Sequence, residues 1–260
     1  MSDDRHTRAA EQLWQAWSAG RLLDGIDADV RPHDLDEGYE VQRALDALAG
    51  PSVGWKIAAT SAAGQQHLGV SGPMVGRLYR SQARIDGARL SVGAMRMRSA
   101  EPEFAFRFGR DLVPGAEAPD REQVLDAVQS LVLAIEVPDS RFADFAAAGA
   151  PQLIADAMCG GHFVLGREIT DWRGLDLPGQ RARMLRDGSE ASAGSGSGVM
   201  GDPADALTWM VGEVLRRGWS LRSGEIVLTG ASATPIEVDA GQVVVAEFEG
   251  LGTVNVEFVP

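Results

Sequence analysis

The amino-acid sequence predicts an α+β fold, in which helices flank a region rich in β-strands. Residues 1–52 carry helical periodicity, whereas the chain from Val53 onward consists of short apolar runs interrupted by Gly and Pro, which favours strands. With 260 residues the chain is within the size range of one domain. We therefore expect an N-terminal helical segment, residues 1–52, packed on a single structural unit formed by residues 53–260.

Two helices are predicted in the N-terminal segment. In the second, Asp34 or Asp36 can cap the first turn, and Gly50-Pro51 ends the helix. In the first, apolar side chains recur at i, i+4 and i+8, at Ala9, Ala10, Leu13, Trp14 and Trp17. We expect the two helices to form a cover or an interface element.

Two further helices are predicted within the larger unit. One is expected over Arg121 to Ser130. The other has Asp202 as its cap, Pro203 at the first helical position and Gly218 after its last turn.

Strands are predicted near the C-terminus at Ile226 to Thr229, Val243 to Phe248 and Thr253 to Phe258, where the last run alternates apolar and polar residues. Asp187-Gly188 is expected to form a hairpin turn. The Ser/Gly-rich stretch 192–198 has the composition of a flexible linker, and we expect a loop there.

Composition and charge exclude several classes of function. The formal charge is −13 and the basic residues are scattered, so nucleic-acid binding is disfavoured. Apolar runs such as 131–135 are far shorter than the roughly 20 residues that span a bilayer, and no membrane location is expected. Cys159 is the only cysteine, which excludes an intramolecular disulfide and fits a reducing compartment, with the cytoplasm as the expected location.

Three glutamates lie in or beside predicted strands. In a strand, the carboxylates of Glu101 and Glu103 point to the same face, about 6 to 7 Å apart. Glu136 lies inside the apolar run 131–137, where an uncompensated carboxylate is costly, so it is expected to meet a cation. Three converging carboxylates suit Mg²⁺ or Mn²⁺. On spacing alone, the alternative is that Glu101 and Glu103 are solvated and that Glu136 pairs with an arginine such as Arg141.

Lys56 is likewise a charge among apolar neighbours. It can hold a substrate carboxylate or donate a proton, and the alternative is a lysine that snorkels at the surface. Cys159 has His162 nearby in sequence, but a buried, inert thiol is the favoured interpretation. The sequence contains no nucleophile elbow, P-loop, dinucleotide fingerprint or zinc spacing.

Six collinear blocks carry a resemblance that extends over most of the chain. They are GWKIAATSAAGQQHLGV (54–70), EPEFAFRFGRDL (101–112), LAIEVPDSRFADF (133–145), IADAMCGGHFVLG (154–166), GDPADALTWM (201–210) and LRSGEIVLTGASATPIEVDAGQVVVAEFEGLGTVNVEF (221–258). In this order they resemble the fumarylacetoacetate hydrolase superfamily, specifically the branch of 2-oxopent-4-enoate hydratases and 4-oxalocrotonate decarboxylases.

The resemblance implies a mixed β-roll with flanking helices and a homo-oligomer that is at least dimeric. It implies that Mg²⁺ or Mn²⁺ is held by Glu101, Glu103 and Glu136, and that Lys56 is catalytic. It further implies substrate-binding residues at Thr229, Gly230 and Asp156.

Three functions follow from the resemblance. We expect a divalent-metal-dependent lyase acting on a small 2-oxo or 2-hydroxy-dienoic acid, as a hydratase of the 2-keto-4-pentenoate type. The alternative is a 4-oxalocrotonate-type decarboxylase or a related enzyme that cleaves C–C bonds. A non-catalytic structural homologue is the third, and the intact glutamates argue against it.

Two departures from the family pattern concern the handling of water. Hydratases of this branch usually have Pro-Asp-Phe-Gly where this chain has Pro73-Met-Val-Gly76, so a carboxylate is missing at Met74. The branch commonly has Asp-Asn-Ala-Ser where this chain has Asp156-Ala-Met-Cys159. We expect these changes to leave the metal site intact and to weaken hydration.

Overall fold

The computed structural model describes residues 2–93 and 95–260, over which helices and strands combine as an α+β fold. The helices are α1 (Ser2–Ser18), α2 (Leu35–Ala49), α3 (Ala62–Leu68), α4 (Arg121–Ala127), α5 (Phe145–Ala148), α6 (Ala150–Ala155) and α7 (Pro203–Arg216). The strands are β1 (Ser52–Ala58), β2 (Met74–Tyr79), β3 (Ala83–Ile85), β4 (Ala88–Ser91), β5 (Ser99–Phe108), β6 (Val128–Val137), β7 (His162–Ile169), β8 (Arg181–Arg186), β9 (Ser189–Ser195), β10 (Ile226–Ala231), β11 (Ile236–Glu237), β12 (Val243–Phe248) and β13 (Gly252–Val259).

Within the described residues, these strands form two sheets. The larger sheet is mixed and curled, with the order β2-β1-β10-β5-β6-β7-β3 and with β11 paired to one end of β5. Its strands β1 and β10 run parallel, whereas β5 is antiparallel to both β10 and β6. The smaller sheet has the order β4-β13-β12-β8-β9. This architecture confirms the expected mixed β-roll with flanking helices.

The two faces of the larger sheet have different partners. One face carries Phe104, Phe106 and Ile135 into the main hydrophobic core, which also takes in the helices and the smaller sheet. The other face carries a separate small apolar cluster that includes Ala105 and Val132. Successive side chains of a strand alternate between faces, so Glu101 and Glu103 lie on the face of the small cluster.

The N-terminal helices belong to the main core. Leu13 and Leu45 are each 1% exposed and pack in the same continuous cluster as the strands. Asp34, rather than Asp36, caps α2, because its carboxylate accepts a hydrogen bond from the Glu37 backbone N–H at 2.8 Å. The division of the chain at residue 52 stays a prediction.

Several of the predicted helices, strands and turns are confirmed, and two of the predictions are corrected. The helix with Asp202 as cap is α7, and the three C-terminal strands are β10, β12 and β13. Asp187 and Gly188, with φ of +52° and +80°, join β8 to β9. The helix predicted to reach Ser130 ends at Ala127 instead, because the chain there begins to pair with β5 as strand β6.

The Ser/Gly-rich stretch 192–198 is not a loop, and the prediction was wrong. Residues 192–195 belong to strand β9, which pairs with β8, and 196–198 form a 3₁₀ turn. Gly194 lets strand β9 pack closely against the backbone of residues 232 and 233. A Cβ at Gly194 would overlap the Ser232 carbonyl oxygen and lie 2.9 Å from the Ala233 Cα. The short helices α3, α5 and α6 were not predicted, because 4 to 7 residues are too few for a helical period to emerge.

Among the described residues, no helix has both the length and the apolar character needed to cross a lipid bilayer.

Substituting single glycines of the stretch 192–198 tests this packing. Gly194→Ala is expected to lower the free energy of unfolding by about 1 to 3 kcal/mol, because the new methyl group meets backbone atoms that cannot rotate away. Gly198→Ala, whose new Cβ would lie 3.7 Å from the nearest atom, is the matched control and is expected to change stability by less than about 1 kcal/mol. Urea denaturation measures both, and equal tolerance of the two substitutions would contradict the close approach.

Candidate metal centre and active site

Four adjacent strands bring the predicted metal and catalytic residues together. Lys56 lies on β1, Glu101 and Glu103 on β5, and Glu136 on β6, while β10 lies between β1 and β5. Glu101 and Glu136 are direct register partners. Each of the three glutamates offers a carboxylate oxygen, and these oxygens lie within 4.8 Å of one another. The three glutamates therefore converge as the sequence predicts.

Lys56 is fixed inside this cluster. Its side chain is buried, with the residue 4% exposed, so it is not a snorkelling surface lysine. Its Nζ lies 2.8 Å from Oε1 of Glu136, a close ion pair, and donates a hydrogen bond of 3.0 Å to the Met158 carbonyl oxygen. An ammonium group has three N–H donors, so one remains for another partner.

Glu103 is oriented by an irregularity in β10. The register between β10 and β5 shifts between Leu228 and Ala231, and Gly230 within this bulge has a φ of +115°. The bulge directs the Gly230 N–H to Oε2 of Glu103 at 2.8 Å. The other oxygen, Oε1, is buried and has no hydrogen-bond partner among the described residues.

The cluster carries more negative than positive charge. Burial and the neighbouring Glu136 charge raise the pKa of Glu101 to about 7, although Lys56 opposes them. Burial, with the charges of Glu136 and Glu101, raises the pKa of Glu103 well above its usual range. Burial lowers the pKa of Lys56, but the Glu136 and Glu101 carboxylates outweigh it, so that pKa is raised and the ammonium form is favoured.

These residues fit a divalent cation. Three carboxylates and one ammonium leave two negative charges uncompensated in a buried site, and a doubly charged ion would balance them. The unpartnered Oε1 of Glu103 supplies a ligand atom, and the all-oxygen donor set suits Mg²⁺ or Mn²⁺. The alternative in which Glu136 pairs with Arg141 is wrong, because Arg141 pairs with Asp156.

Two of the three predicted substrate-binding residues have side chains that already have partners. The Thr229 hydroxyl is buried and donates a 2.7 Å hydrogen bond to the Phe104 carbonyl oxygen. The Asp156 carboxylate is buried and is held by Arg141. Only Gly230 contacts a proposed metal ligand directly. These contacts favour a positioning role for the side chains of Thr229 and Asp156.

Two groups that sequence reasoning missed belong to the backbone. The Met158 carbonyl and the Gly230 N–H contact Lys56 and Glu103, and a backbone group leaves no signature in a side-chain pattern. One available signal was overlooked: Lys56 is the only lysine among 24 Lys and Arg residues. A lone lysine in a chain that otherwise uses arginine indicates that position 56 is a candidate functional residue.

Strand alternation directs the Cβ of Met74 to the side of the sheet that carries Lys56, while the Met74 side chain packs in the main hydrophobic core. Met74 is two residues from Gly76, the register partner of Lys56, and the residue is 6% exposed. Two carboxylates that are alternatives to the missing aspartate have other partners: Glu37 binds Arg5, and Asp139 accepts hydrogen bonds from the backbone N–H groups of residues 96 and 97.

Cys159 is 2% exposed, and burial raises the pKa of its thiol to about 12. The thiolate form needed for nucleophilic chemistry is therefore disfavoured, as the interpretation of an inert thiol requires.

Comparison with known proteins connects this geometry to one family. Residues 71–259 match the family described as Fumarylacetoacetate (FAA) hydrolase C-terminal. A 2-keto-4-pentenoate hydratase of Paraburkholderia xenovorans (strain LB400) is 32% identical over 262 aligned residues, covering 99% of this chain and 96% of the relative. A 2-hydroxyhexa-2,4-dienoate hydratase of Comamonas testosteroni is 31% identical and covers 99% of each chain.

A solved structure shows the same fold over nearly the whole chain. The 4-oxalocrotonate decarboxylase of Pseudomonas putida G7, complexed with magnesium and adipate, superposes with a TM-score of 0.89, covers 98% of each chain and is 23% identical.

Metal binding and pH are expected to affect stability through the same carboxylates. Without divalent metal, the folded protein should lose stability as the pH rises from about 4.5 to about 7, because the raised pKa of Glu101 makes the folded state bind more protons than the unfolded state. In Glu101→Gln, which has no titratable group at this position, the free energy of unfolding should decrease less over this pH range. Mg²⁺ at a hundredfold excess over its Kd should stabilise the wild type by about 2.7 kcal/mol and the variant by much less.

Thermal unfolding in chelator and in Mg²⁺ measures these effects. Glu190→Gln, at an exposed glutamate of β9, is the control and should behave as the wild type. The metal site would be refuted if Mg²⁺ stabilised Glu101→Gln as strongly as the wild type.

Proposed function

The chain belongs to the fumarylacetoacetate hydrolase family, and from that premise we propose that it is a divalent-metal-dependent lyase. Its substrate is a small 2-oxo or 2-hydroxy-dienoic acid, to which it adds water as a hydratase of the 2-keto-4-pentenoate type. The full-length similarity to hydratases supports the reaction class. The single observation that carries the proposal is the cluster of three converging carboxylates, two of them buried and Glu101 half-buried, with one buried ammonium.

In this proposal, Glu101, Glu103 and Glu136 hold Mg²⁺ or Mn²⁺. The bound ion supplies Lewis-acid polarisation of the substrate's 2-oxo group. The Gly230 N–H orients Glu103 by occupying one of its oxygens, which leaves the other for the metal. Because the protein has a net charge of −13, capture of an anionic substrate depends on local positive charge at the site.

Lys56 is the proposed catalytic residue. Glu136 and the Met158 carbonyl occupy two directions of its ammonium group, so its third N–H can be directed at the substrate. There it binds the substrate carboxylate or delivers a proton to the reacting carbon chain. Gly230 lies beside Glu103. The side chains of Thr229 and Asp156 act on substrate binding through the backbone groups that they hold, the Phe104 carbonyl and the Arg141 N–H.

A homo-oligomer, a cytoplasmic location and the lack of a nucleic-acid partner stay predictions. Size-exclusion chromatography with light scattering would test the first.

The test is an assay of two substrates with and without metal. With Mg²⁺, the purified protein should consume 2-hydroxypenta-2,4-dienoate, seen as loss of ultraviolet absorbance, and should lose this activity after exhaustive chelation. Lys56→Met removes the cation of a buried ion pair, so the free energy of unfolding should fall by about 3 to 5 kcal/mol. Turnover by the folded variant should fall roughly 10²-fold or more. Arg183→Met, which removes an exposed positive charge, is the control and should retain activity. Full activity in chelator or in Lys56→Met would overturn the proposal.

Decarboxylation is the second candidate, and the residue at position 74 favours it. Conjugate hydration needs a group that accepts a proton from the attacking water or orients it by a hydrogen bond, and the Met74 side chain can do neither. The carboxylates of Glu37, Asp139 and Asp156, which would be the alternatives, already have partners. Release of CO₂ from 2-oxohex-3-enedioate in the same assay would identify a decarboxylase.

Met74→Asp tests the importance of this position for hydration. An added carboxylate on the face that carries Lys56 should accept a proton from water, so hydration of the dienoate should rise relative to its ketonisation. Met74→Leu keeps the site apolar and serves as the control. Product analysis by NMR measures the ratio. Efficient hydration by the wild type, with no change in Met74→Asp, would show that the departure has no mechanistic meaning.

A further inference from the structure

The segment after α6 adopts a strained backbone next to Lys56. Three consecutive residues that are not glycine, Ala157, Met158 and Cys159, have φ values of +49°, +53° and +60°. Left-handed conformations cost roughly 1 to 2 kcal/mol for each such residue, and they normally occur singly. We call residues 157–159 the left-handed turn. It persists only if its surroundings hold it in place.

Arg141 holds both ends of the left-handed turn. Its guanidinium pairs with the carboxylate of Asp156 and donates to the Asp156 carbonyl oxygen at 2.8 Å, immediately before the turn. It also donates to the Gly160 carbonyl oxygen at 2.6 Å, immediately after the turn. The Ser140 hydroxyl and the Arg141 backbone N–H each donate a 3.0 Å hydrogen bond to Oδ2 of Asp156. Arg141 and Asp156 are 6% and 1% exposed, so water does not compete for these bonds.

The left-handed turn packs against the strand next to Lys56. The Ala157 carbonyl oxygen occupies the space that a Cβ at Gly76 would fill, and Gly76 is the register partner of Lys56. On the other side, the Trp17 ring of α1 covers the Arg141 guanidinium at 4.6 Å. The N-terminal helical segment thus takes part in holding the turn.

We propose that Arg141 is a positioning residue for Lys56, acting through the left-handed turn. The turn directs the Met158 carbonyl to the Lys56 ammonium at 3.0 Å. If the turn relaxes to right-handed conformations, that carbonyl rotates away and Lys56 keeps Glu136 as its partner. The third N–H then loses its fixed direction toward the substrate. The catalytic part of this inference rests on the function proposed above, whereas its structural part does not.

The solitary lysine makes the structural part measurable without substrate. Protein grown with ε-¹⁵N-lysine has one labelled side chain, Lys56, whose ammonium resonance reports its surroundings. Arg141→Gln should shift this resonance and should speed its hydrogen exchange by about tenfold or more, since a hydrogen bond to a charged group contributes about 1.5 to 3 kcal/mol. In assays, kcat should fall by a similar factor, while KM and the affinity for Mg²⁺ stay close to the wild-type values.

Arg77→Gln is the matched control, because Arg77 is also a buried arginine that pairs with a carboxylate and covers a tryptophan ring, whereas its guanidinium pairs with Asp46 and Glu225 rather than with the residues that flank the turn. It is 8% exposed, lies 3.7 Å from the Glu225 carboxylate and covers the ring of Trp55 at 4.0 Å. Loss of a buried ion pair should destabilise both variants to a similar degree, yet the Lys56 resonance should change only in Arg141→Gln.

If Arg141→Gln does not fold, Asp156→Asn tests the same assembly with a side chain of equal size. An unchanged Lys56 resonance in a folded variant at either position overturns the proposal. A changed resonance with unchanged kcat keeps the positioning of Lys56 but contradicts its catalytic role, so failure of the inference and failure of the proposed function are distinguishable.

Discussion

The balance of charge among Glu101, Glu103, Glu136 and Lys56 is the constraint on which the rest of the site depends. Uncompensated charges in a protein interior cost several kcal/mol each, so a cluster of this kind persists only with a cation or with protons. Lys56 pairs with Glu136, and the proposed metal ion would balance the charge of the other two carboxylates. The raised pKa of Glu101 shows the consequence of leaving them without one. In the proposed function, stability, metal affinity and catalysis therefore depend on a single set of charges.

The two faces of the larger sheet have separate roles: one packs in the hydrophobic core, and the other holds the charged side chains. One face of the larger sheet is packed into the main core, and the other face carries the charged cluster above a small apolar cluster. The side chains are supplied by regular strands, whereas the backbone donors and acceptors come from irregular segments, the bulge at Gly230 and the left-handed turn. Strands fix where the carboxylates lie, and the irregular backbone decides where their free oxygens and the ammonium point.

Much of this arrangement was predictable because it depends on short sequence patterns. Strand alternation placed Glu101 and Glu103 on one face, and the apolar surroundings of Glu136 indicated a buried carboxylate that meets a cation. Other parts depend on contacts distant in the chain. The stretch 192–198 has the composition of a linker, but its glycines allow β9 to approach residues 232 and 233. Val128 to Ser130 continue a helical pattern, yet pairing with β5 makes them a strand. The partner of Arg141 also depends on tertiary contacts, because position alone made Glu136 an equally reasonable choice.

The exclusive use of arginine outside the cluster has a consequence for covalent modification. Acylating agents, including the thioesters of central metabolism, attack the unprotonated ε-amine of lysine and leave guanidinium groups untouched. The single ε-amine of this chain is buried, and its raised pKa keeps it protonated. The folded protein therefore offers no reactive lysine to such reagents, and acylation of Lys56 would report that the strands around it had opened.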